Sequence, residues 1–157
     1  MTPALVAIAA GSNLGDRRVH LDWAFDQLAA RLTDFRRSTY HETDPVGVSG
    51  PQPRFLNAAA VGRTSLEAPA LLEVLLDLER AHGRTRAAPR APRTLDLDLI
   101  FYGDLILDSP ALVVPHPRFR EREFVLGPLA ELVPAWRDPV TGRTVEELLA
   151  RCQKHSP

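Results

Sequence analysis

The segment from residue 93 to residue 100 reads R-T-L-D-L-D-L-I and constrains the fold more than any other part of the chain. Leu95, Leu97 and Leu99 alternate with Asp96 and Asp98, a period of two that is typical of a β-strand whose faces differ in polarity. On such a strand both carboxylates point to one side, roughly 6.5–7 Å apart. Because like charges this close repel, the pair favours a bound cation such as Mg²⁺, which shares oxygen ligands with substrate phosphates. The alternative is an edge strand with a solvated acidic face.

Length and composition limit the classes of protein to consider. With 157 residues, 45% of them apolar and 25% charged, residues 1–157 are expected to form a single globular domain. The net charge of −1 argues against nucleic acid or an anionic membrane as a partner. One cysteine, Cys152, excludes an internal disulfide and fits a reducing compartment. Residues 4–10 are apolar but too short to span a bilayer, so we expect a cytoplasmic protein, and a monomer.

The basic residues are almost all arginine. Lys154 is the single lysine in the sequence. A phosphate-binding P-loop and a protein-kinase site each need an internal lysine, so neither can be built here. If the protein handles nucleotide phosphates, arginines must hold them, a task that suits their forked donors.

Apolar patterns predict alternating strands and helices. Residues 5–10 and 55–64 read as buried strands, and residues 34–43 are compatible with β structure. Two amphipathic helices are predicted from apolar residues at helical spacing. The first carries Leu21, Ala24, Phe25, Leu28 and Leu32, and the second carries Leu71, Leu72, Leu75 and Leu78.

Terminal signals refine these elements. Thr64-x-x-Glu67 predicts a capping box that opens the second helix, and Gly83 a cap that closes it. Residues 105–107 predict a short strand, and residues 123–132 a helix. Thr144-x-x-Glu147 predicts the start of a last helix.

The resulting order, β-α-β-β-α-β, is that of a ferredoxin-like α/β (α+β) sandwich, here with a C-terminal addition of a short strand and helices. We expect the first and last of these strands to be central, which would place the aspartates mid-sheet.

A basic loop leads directly into the aspartate strand. It contains Arg84, Arg86, Arg90 and Arg93 within ten residues. By itself such a loop is more often a solvated, flexible segment. Beside a carboxylate pair suited to Mg²⁺, however, cationic forks are what a polyphosphate requires.

Two further groups suggest binding roles. His116 lies between prolines and is followed by Arg118, Arg120 and Arg122, which predicts a second anion-binding edge, although a lone histidine is more often structural. Asn57 interrupts an apolar strand, so its amide either satisfies backbone groups or reads a flat heterocycle. Phe55 would share its face and could stack on a ring. The Gly11-Ser12-Asn13 turn is a weak signal by itself.

Six segments in order resemble the 6-hydroxymethyl-7,8-dihydropterin pyrophosphokinase family over roughly residues 4–134. They are G-S-N-L-G from Gly11, T-x-P-x-G from Thr43, F-L-N-A-A from Phe55, E-x-x-x-G-R-x-R from Glu79, P-R-T-L-D-L-D from Pro92, and V-P-H-P-R from Val114 with Arg122 and Phe124.

The resemblance implies transfer of the β,γ-diphosphate of ATP to the pterin hydroxymethyl group, with release of AMP, in folate biosynthesis. It implies two Mg²⁺ ions on Asp96 and Asp98, with one ion also binding and activating the substrate hydroxyl. The implied ATP-binding residues are Glu79, Arg84, Arg86, Arg93, Leu99, His116 and Arg122, of which Arg84 and Arg93 join the aspartates as catalytic. The implied pterin-binding residues are Thr43, Pro45, Val46, Phe55, Asn57, Asp96 and Phe124.

Some positions depart from the family pattern. Many members have tryptophan and glycine where this chain has Arg90 and Ala91, an aromatic residue where it has Pro117, and threonine where it has Val113. These changes bear on loop closure and adenine contacts, hence on ATP affinity and rate.

Two rival functions use parts of the same pattern. A metal-dependent phosphohydrolase would use the aspartates and arginines but leaves Phe55 and Asn57 unexplained. A ferredoxin-like module that binds RNA or a small ligand presents aromatic residues on central strands, whereas carboxylates would repel a nucleic-acid backbone.

Overall fold

The fold is built on an antiparallel sheet. The computed structural model describes residues 2–43, 54–82 and 94–154. Its main strands are β1 (Ala4–Ser12), β2 (Thr33–Arg37), β3 (His41–Thr43), β4 (Phe55–Thr64) and β5 (Asp96–Tyr102). They are ordered β2-β4-β1-β5, and β3 also pairs with β4. The second strand of a ferredoxin-like sheet is thus divided into β2 and β3, and the predicted sandwich is confirmed.

One face of the sheet is covered by α1 (Arg17–Ala29) and α2 (Ala68–Ala81). As predicted, α1 buries Leu21, Ala24, Phe25 and Leu28, while Leu32 is buried beyond its end. Helix α2 buries Leu71, Leu75 and Leu78. These side chains pack with the leucines of β5 in one core cluster.

Two C-terminal helices, α3 (Glu123–Leu132) and α4 (Val145–Lys154), cover part of the opposite face. A second core cluster forms here, in which the ring of Phe101 stacks on Trp136 and meets Phe119 edge-on. The short strands β6 (Leu107–Asp108) and β7 (Val113–Val114) instead pack against the first core cluster through Leu107 and Val114. The helix predicted at residues 123–132 is confirmed. The predicted strand at residues 105–107 begins later, at Leu107, because Leu105 closes a turn onto the carbonyl of Tyr102.

The predicted mid-sheet position of the aspartates is wrong. In the described part of the chain, β5 forms its ladder with β1 and is the last strand in the order, while β1 and β4 are central. The physical reason is visible in the side chains: residues 6–13 are buried without interruption, whereas β5 alternates half-buried and buried residues from Asp96 to Leu99. A strand with one wet face suits an outer position.

A β-bulge interrupts the pairing of β5 with β1. The register shifts between Ala7 and Ile8, so that Phe101 is opposite Ala7 and Leu99 is opposite Ile8. As a result, Ile100 and Phe101 both contribute to the second core cluster.

The two predicted capping boxes have different outcomes. At α4 the box forms, since Thr144 and Glu147 exchange side-chain-to-backbone hydrogen bonds of 3.1 Å. At α2 it does not, because Thr64 is the last residue of β4 and its hydroxyl accepts from the amide of Leu66. Glu67 is itself the N-cap residue there. Gly83 lies outside the described residues.

None of the helices in the described segments is long and apolar enough to span a membrane.

Candidate active site

A cleft of about 480 Å³ opens beside β5. Apolar walls come from α2 and from the segment that leads into and begins β7. They comprise Leu72, Leu76, Ala111, Leu112 and Val113. The polar lining residues are Glu79, Asp96, Asp98, His116 and Arg122. Six residues predicted for the site, these five and Leu99, are therefore brought together in a cleft with both apolar and charged lining.

The two aspartates lie at the edge of this cleft as the alternation predicts. Leu95, Leu97 and Leu99 are buried in the core shared with α2, so Asp96 and Asp98 point to the other face of the sheet, where both are half-buried. Register places Asp96 opposite Gly11 and Asp98 opposite Ala9. Neither of these β1 residues carries a long side chain, so β1 does not cover the carboxylates.

Glu79 anchors the strand that carries the aspartates. It is 2% exposed, and its Oε2 accepts a hydrogen bond of 2.7 Å from the backbone N–H of Leu97, between the two aspartates. A buried carboxylate needs such donors, and the edge of β5 needs an acceptor. Glu79 therefore fixes β5 against α2 within the site.

His116 enters the cleft from the segment after β7. Its backbone N–H donates to the carbonyl of Ile100 over 3.0 Å, which ties it to β5. Burial first, and the nearby charge of Arg122 second, lower the pKa of His116 to about 4 against the opposing effect of Asp96. The N–H of Arg118 donates to Nδ1 over 3.2 Å, which assigns the proton of the neutral ring to Nε2. His116 is thus a neutral hydrogen-bond donor at pH 7.

The structure separates the three arginines that were predicted to form a second anion-binding edge. Arg122 lines the cleft, and its guanidinium lies 5.6 Å from the centre of the Phe124 ring. Arg120 instead forms a two-pronged pair with Asp138, with an Nη2–Oδ1 distance of 2.9 Å. Because Asp138 is fully buried, this arginine serves the fold. Arg118 is exposed.

A glycine separates the carboxylates from a second polar group on the same face. Asn57 of β4 and Asp96 of β5 are both opposite Gly11, on either side of β1. Two strand spacings put them roughly 10 Å apart. A Cβ at Gly11 would lie 3.1 Å from Oδ1 of Asn57 and 3.8 Å from the Phe55 ring. Gly11 therefore keeps a floor open between the amide and the carboxylate.

The predicted pterin-binding residues within the described segments surround this floor. Asn57 donates from Nδ2 to the hydroxyl of Thr43 over 2.7 Å, and Thr43 is opposite Phe55 in the β3–β4 ladder. Phe124 lies in the first turn of α3, which packs on the same face against β4. A ring bounded by these groups would meet aromatic surface and an amide edge.

Several predicted residues lie outside the described segments. They are Pro45 and Val46 of the loop after β3, and Arg84, Arg86, Arg90 and Arg93 of the basic loop. Of the departures from the family pattern, Val113 and Pro117 line the cleft, whereas Arg90 and Ala91 belong to the undescribed loop.

The donor set suits Mg²⁺ shared with a polyphosphate. Among residues 2–43, 54–82 and 94–154, no group of three or more His, Cys, Asp or Glu side chains could hold a metal alone. Two carboxylates on one strand face fit an ion that takes its other ligands from phosphates and water, which is the usual habit of Mg²⁺. The residues thus fit a magnesium–nucleotide site better than a protein-only metal centre.

The model of the 7,8-dihydro-6-hydroxymethylpterin-pyrophosphokinase (HPPK) family matches residues 7–134. The chain belongs to this family. As an HPPK, it is a pyrophosphokinase of hydroxymethyldihydropterin in folate synthesis. Membership decides against the phosphohydrolase and the RNA- or ligand-binding module.

Several proteins similar to this chain are named as pyrophosphokinases of the same pterin substrate. The 2-amino-4-hydroxy-6-hydroxymethyldihydropteridine pyrophosphokinase of Pseudomonas aeruginosa is 43% identical over 94% of this chain and 91% of its own length. The enzyme of that name from Synechocystis is 42% identical over 90% of this chain and 73% of its own. The one from Bacillus subtilis is 45% identical over 80% and 75%.

Solved structures of fused proteins share the fold. The wild-type HPPK-DHPS of Plasmodium falciparum with pteroate matches 96% of this chain with a TM-score of 0.76 at 13% identity. The chain spans less than half, 43%, of that fused protein.

Some residues of the site are not among those predicted from the sequence. Gly11 is predicted to lie in a turn but is part of β1, and a glycine that continues an apolar strand signals a close approach. Leu112 and Ala111 line the cleft from a segment without regular periodicity, so no pattern could have assigned them.

Proposed function

We propose that this HPPK uses ATP as its diphosphate donor and that Asp96 and Asp98 hold two Mg²⁺ ions with the triphosphate. The observation that supports this is the pairing of the two carboxylates with His116 and Arg122 around one cleft. Carboxylates alone would repel a polyphosphate, and a neutral donor with one cationic group would not position a metal. Together they match a magnesium–polyphosphate complex.

In the proposed reaction, the hydroxymethyl oxygen of the pterin bonds to the β-phosphorus of ATP. The bond from that phosphorus to the α,β-bridging oxygen breaks, AMP leaves, and the hydroxyl proton passes to solvent. Bound Mg²⁺ supplies Lewis-acid charge neutralisation and lowers the pKa of the hydroxyl.

The chain's own residues orient the reactants. His116 donates from Nε2 to a phosphate oxygen, and Arg122 contributes positive charge, as Arg84, Arg86 and Arg93 do from the basic loop. Leu99 and Glu79 border the nucleotide, with Glu79 also holding β5 in place.

The pterin is proposed to lie between Phe55 and Phe124, with its polar edge read by Asn57, Thr43 and Asp96. Pro45 and Val46 complete this part of the site. Offset stacking on aromatic rings and a small set of amide and carboxylate partners is a common way to bind a flat heterocycle.

The decisive experiment is product identification with ATP, Mg²⁺ and 6-hydroxymethyl-7,8-dihydropterin. AMP that forms only with the pterin, in equal amount to pterin diphosphate, is expected. Asp96→Asn and Asp98→Asn should each lower kcat/KM by ~10²- to 10³-fold, since each removes several kcal/mol of charge stabilisation. Asp104→Asn, an exposed carboxylate in the turn after β5, is the matched control. Near-normal turnover in either site variant would refute the metal assignment.

A further inference from the structure

Glu131, on the last turns of α3, gathers donors from the segment that leads into β3. The backbone N–H of Thr39 donates to Oε1 over 2.9 Å, and the Thr39 hydroxyl donates over 2.8 Å to Oε2. The ring of His41 adds a direct bond from Nε2 to Oε2. One carboxylate thus fastens Thr39, just before β3, and His41, the first residue of β3, although they are 92 and 90 positions away in sequence.

The contact depends on a close approach of the strand to the helix. The His41 ring lies along α3 at Gly127, where a Cβ would be 3.6 Å from both Nδ1 and Cε1 of the ring. The bond to Glu131 is only partly shielded, with side-chain exposures of 35% for His41 and 33% for Glu131. Several donors on one acceptor make such a cluster more rigid than an isolated exposed pair.

Both elements joined by Glu131 continue to the pterin side of the site. His41 and Thr43 are two residues apart on β3, so they share its face. Glu131 and Phe124 are seven residues apart on α3, which is about two turns and brings them to one side of the helix. The attachment therefore lies two residues along β3 from Thr43, on one side of the proposed pterin pocket. It lies two helical turns along α3 from Phe124, on the other side.

We propose that Glu131 is a positioning residue for the pterin: acting through Thr39 and His41, it sets the gap between Thr43 and Phe124. This proposal rests on the pterin assignment made above. Glu131 touches neither substrate in it, and the reacting atoms lie elsewhere, at Asp96 and Asp98.

The charge state of Glu131 supports this role. Burial raises the pKa of Glu131, but the hydrogen bonds from Thr39 and His41 outweigh it, and the net pKa is lowered. The carboxylate is therefore ionised at neutral pH and accepts from all three donors. Glutamine has the same shape, but its amide has one acceptor oxygen, so Glu131→Gln must lose part of the cluster.

The test compares kinetic constants for the two substrates in Glu131→Gln. The KM for the pterin, and its Kd measured by calorimetry with a non-hydrolysable ATP analogue, should rise about 5- to 10-fold. The KM for ATP and kcat should stay within about 2-fold. Asp34→Asn is the matched control, because Asp34 pairs with Arg63 over 3.4 Å at the opposite end of β4.

A double-variant cycle with His41→Ala checks the route. If Glu131 acts through His41, the double variant should have about the same Kd for the pterin as whichever of Glu131→Gln and His41→Ala binds it less tightly. Fully multiplicative losses would overturn the route through His41. Thr39→Val, which removes one hydroxyl donor, gives a second, milder variant should Glu131→Gln fail to fold, and a selective rise in pterin KM is expected there too.

Other outcomes separate this proposal from the proposed function. Unchanged pterin affinity in Glu131→Gln and Thr39→Val, or an equal loss of ATP and pterin affinity, overturns the positioning role while the wild type still makes pterin diphosphate. A wild type that makes none overturns the proposed function itself.

Discussion

At the scale of single residues, His116 illustrates how surroundings set the chemistry of a side chain. Burial and Arg122 hold its pKa at about 4, against an ordinary value of 6.5. In the unfolded chain the same ring takes up a proton as the pH falls through 6.5. Between these values the unfolded state binds more protons, so acidification destabilises the folded state.

This predicts that His116→Gln makes the fold less sensitive to acid. From pH 7.5 to pH 5, the free energy of unfolding should fall by about 1 kcal/mol less in the variant than in the wild type, after a discount for partial solvent screening. Urea unfolding at both values measures it. The difference in unfolding free energy between the two proteins at pH 7.5 corrects for the cost of the substitution itself. An identical fall in unfolding free energy from pH 7.5 to pH 5 in both proteins would contradict the prediction.

The sequence could single out His116 but could not show its neutrality. Flanking prolines made the position conspicuous, whereas the lowered pKa depends on burial and on Arg122 reaching the same cleft. The same distinction separates Arg122 from Arg120. These arginines are two positions apart on the chain. Arg122 faces the cleft, whereas Arg120 is bound to Asp138, a partner that no local sequence pattern reveals.

At the scale of elements, the attachment of β5 to α2 determines where the carboxylates lie. Glu79 is buried and accepts from the N–H of Leu97, which would otherwise have no acceptor from a neighbouring strand of the described sheet. The strand is thus held from its outer side by a helix side chain.

Glu79→Ala should therefore cost about 1–3 kcal/mol of unfolding free energy, because the Leu97 N–H loses its acceptor in a buried place. Glu79→Gln keeps an amide oxygen in the same position and should cost about half as much or less. Chemical denaturation of the three proteins checks the order. Equal losses in the alanine and glutamine variants would show that the carboxylate charge, and not the hydrogen bond, is what matters.

Element boundaries were predicted well where side-chain periodicity decides them. The patterns at residues 55–64 and 123–132 coincide with β4 and α3. The failed capping box at Thr64 has a different cause: β4 extends through that residue, and its pairing with Ala4 in β1 fixes the backbone as strand. Long-range pairing overrides a local signal of this kind.

At the scale of the whole molecule, the sheet has one face fully packed by helices and another that is only partly covered. The first core cluster joins α1, α2 and the leucines of β5, and the second joins α3, α4 and the aromatic residues around Phe101. The candidate site extends from the open part of that second face to the cleft at the outer side of β5, where α2 also contributes. Ligands would therefore bind against strands that are already fixed.

Binding should therefore stabilise the whole fold. At 100 times its Kd, a non-hydrolysable ATP analogue with Mg²⁺ would contribute about 2.7 kcal/mol, which for a chain of 157 residues is a rise in Tm of roughly 5–10 °C. The rise should vanish with EDTA and in Asp98→Asn. Differential scanning fluorimetry measures it, and an equal rise without Mg²⁺ would count against the metal site.

The position of β5 in the sheet is a large-scale feature for which the sequence-based prediction is wrong. The signal was present, because β1 and β4 are apolar on both faces while β5 alternates, and alternation belongs to a strand with a wet face. The position of α3 over β4 was not predictable, since no local pattern reports the packing partner of a C-terminal helix.

The bulge between β1 and β5 has a consequence for how this strand can change over time. An extra residue shifts the phase of alternation between Leu99 and Phe101. In the half of β5 that carries the aspartates, and in the half that fills the second core, the inward-facing positions are therefore set separately. Variation in the aromatic half can adjust packing without inverting the carboxylates, and the site can diversify without turning a hydrophobic ring out to water.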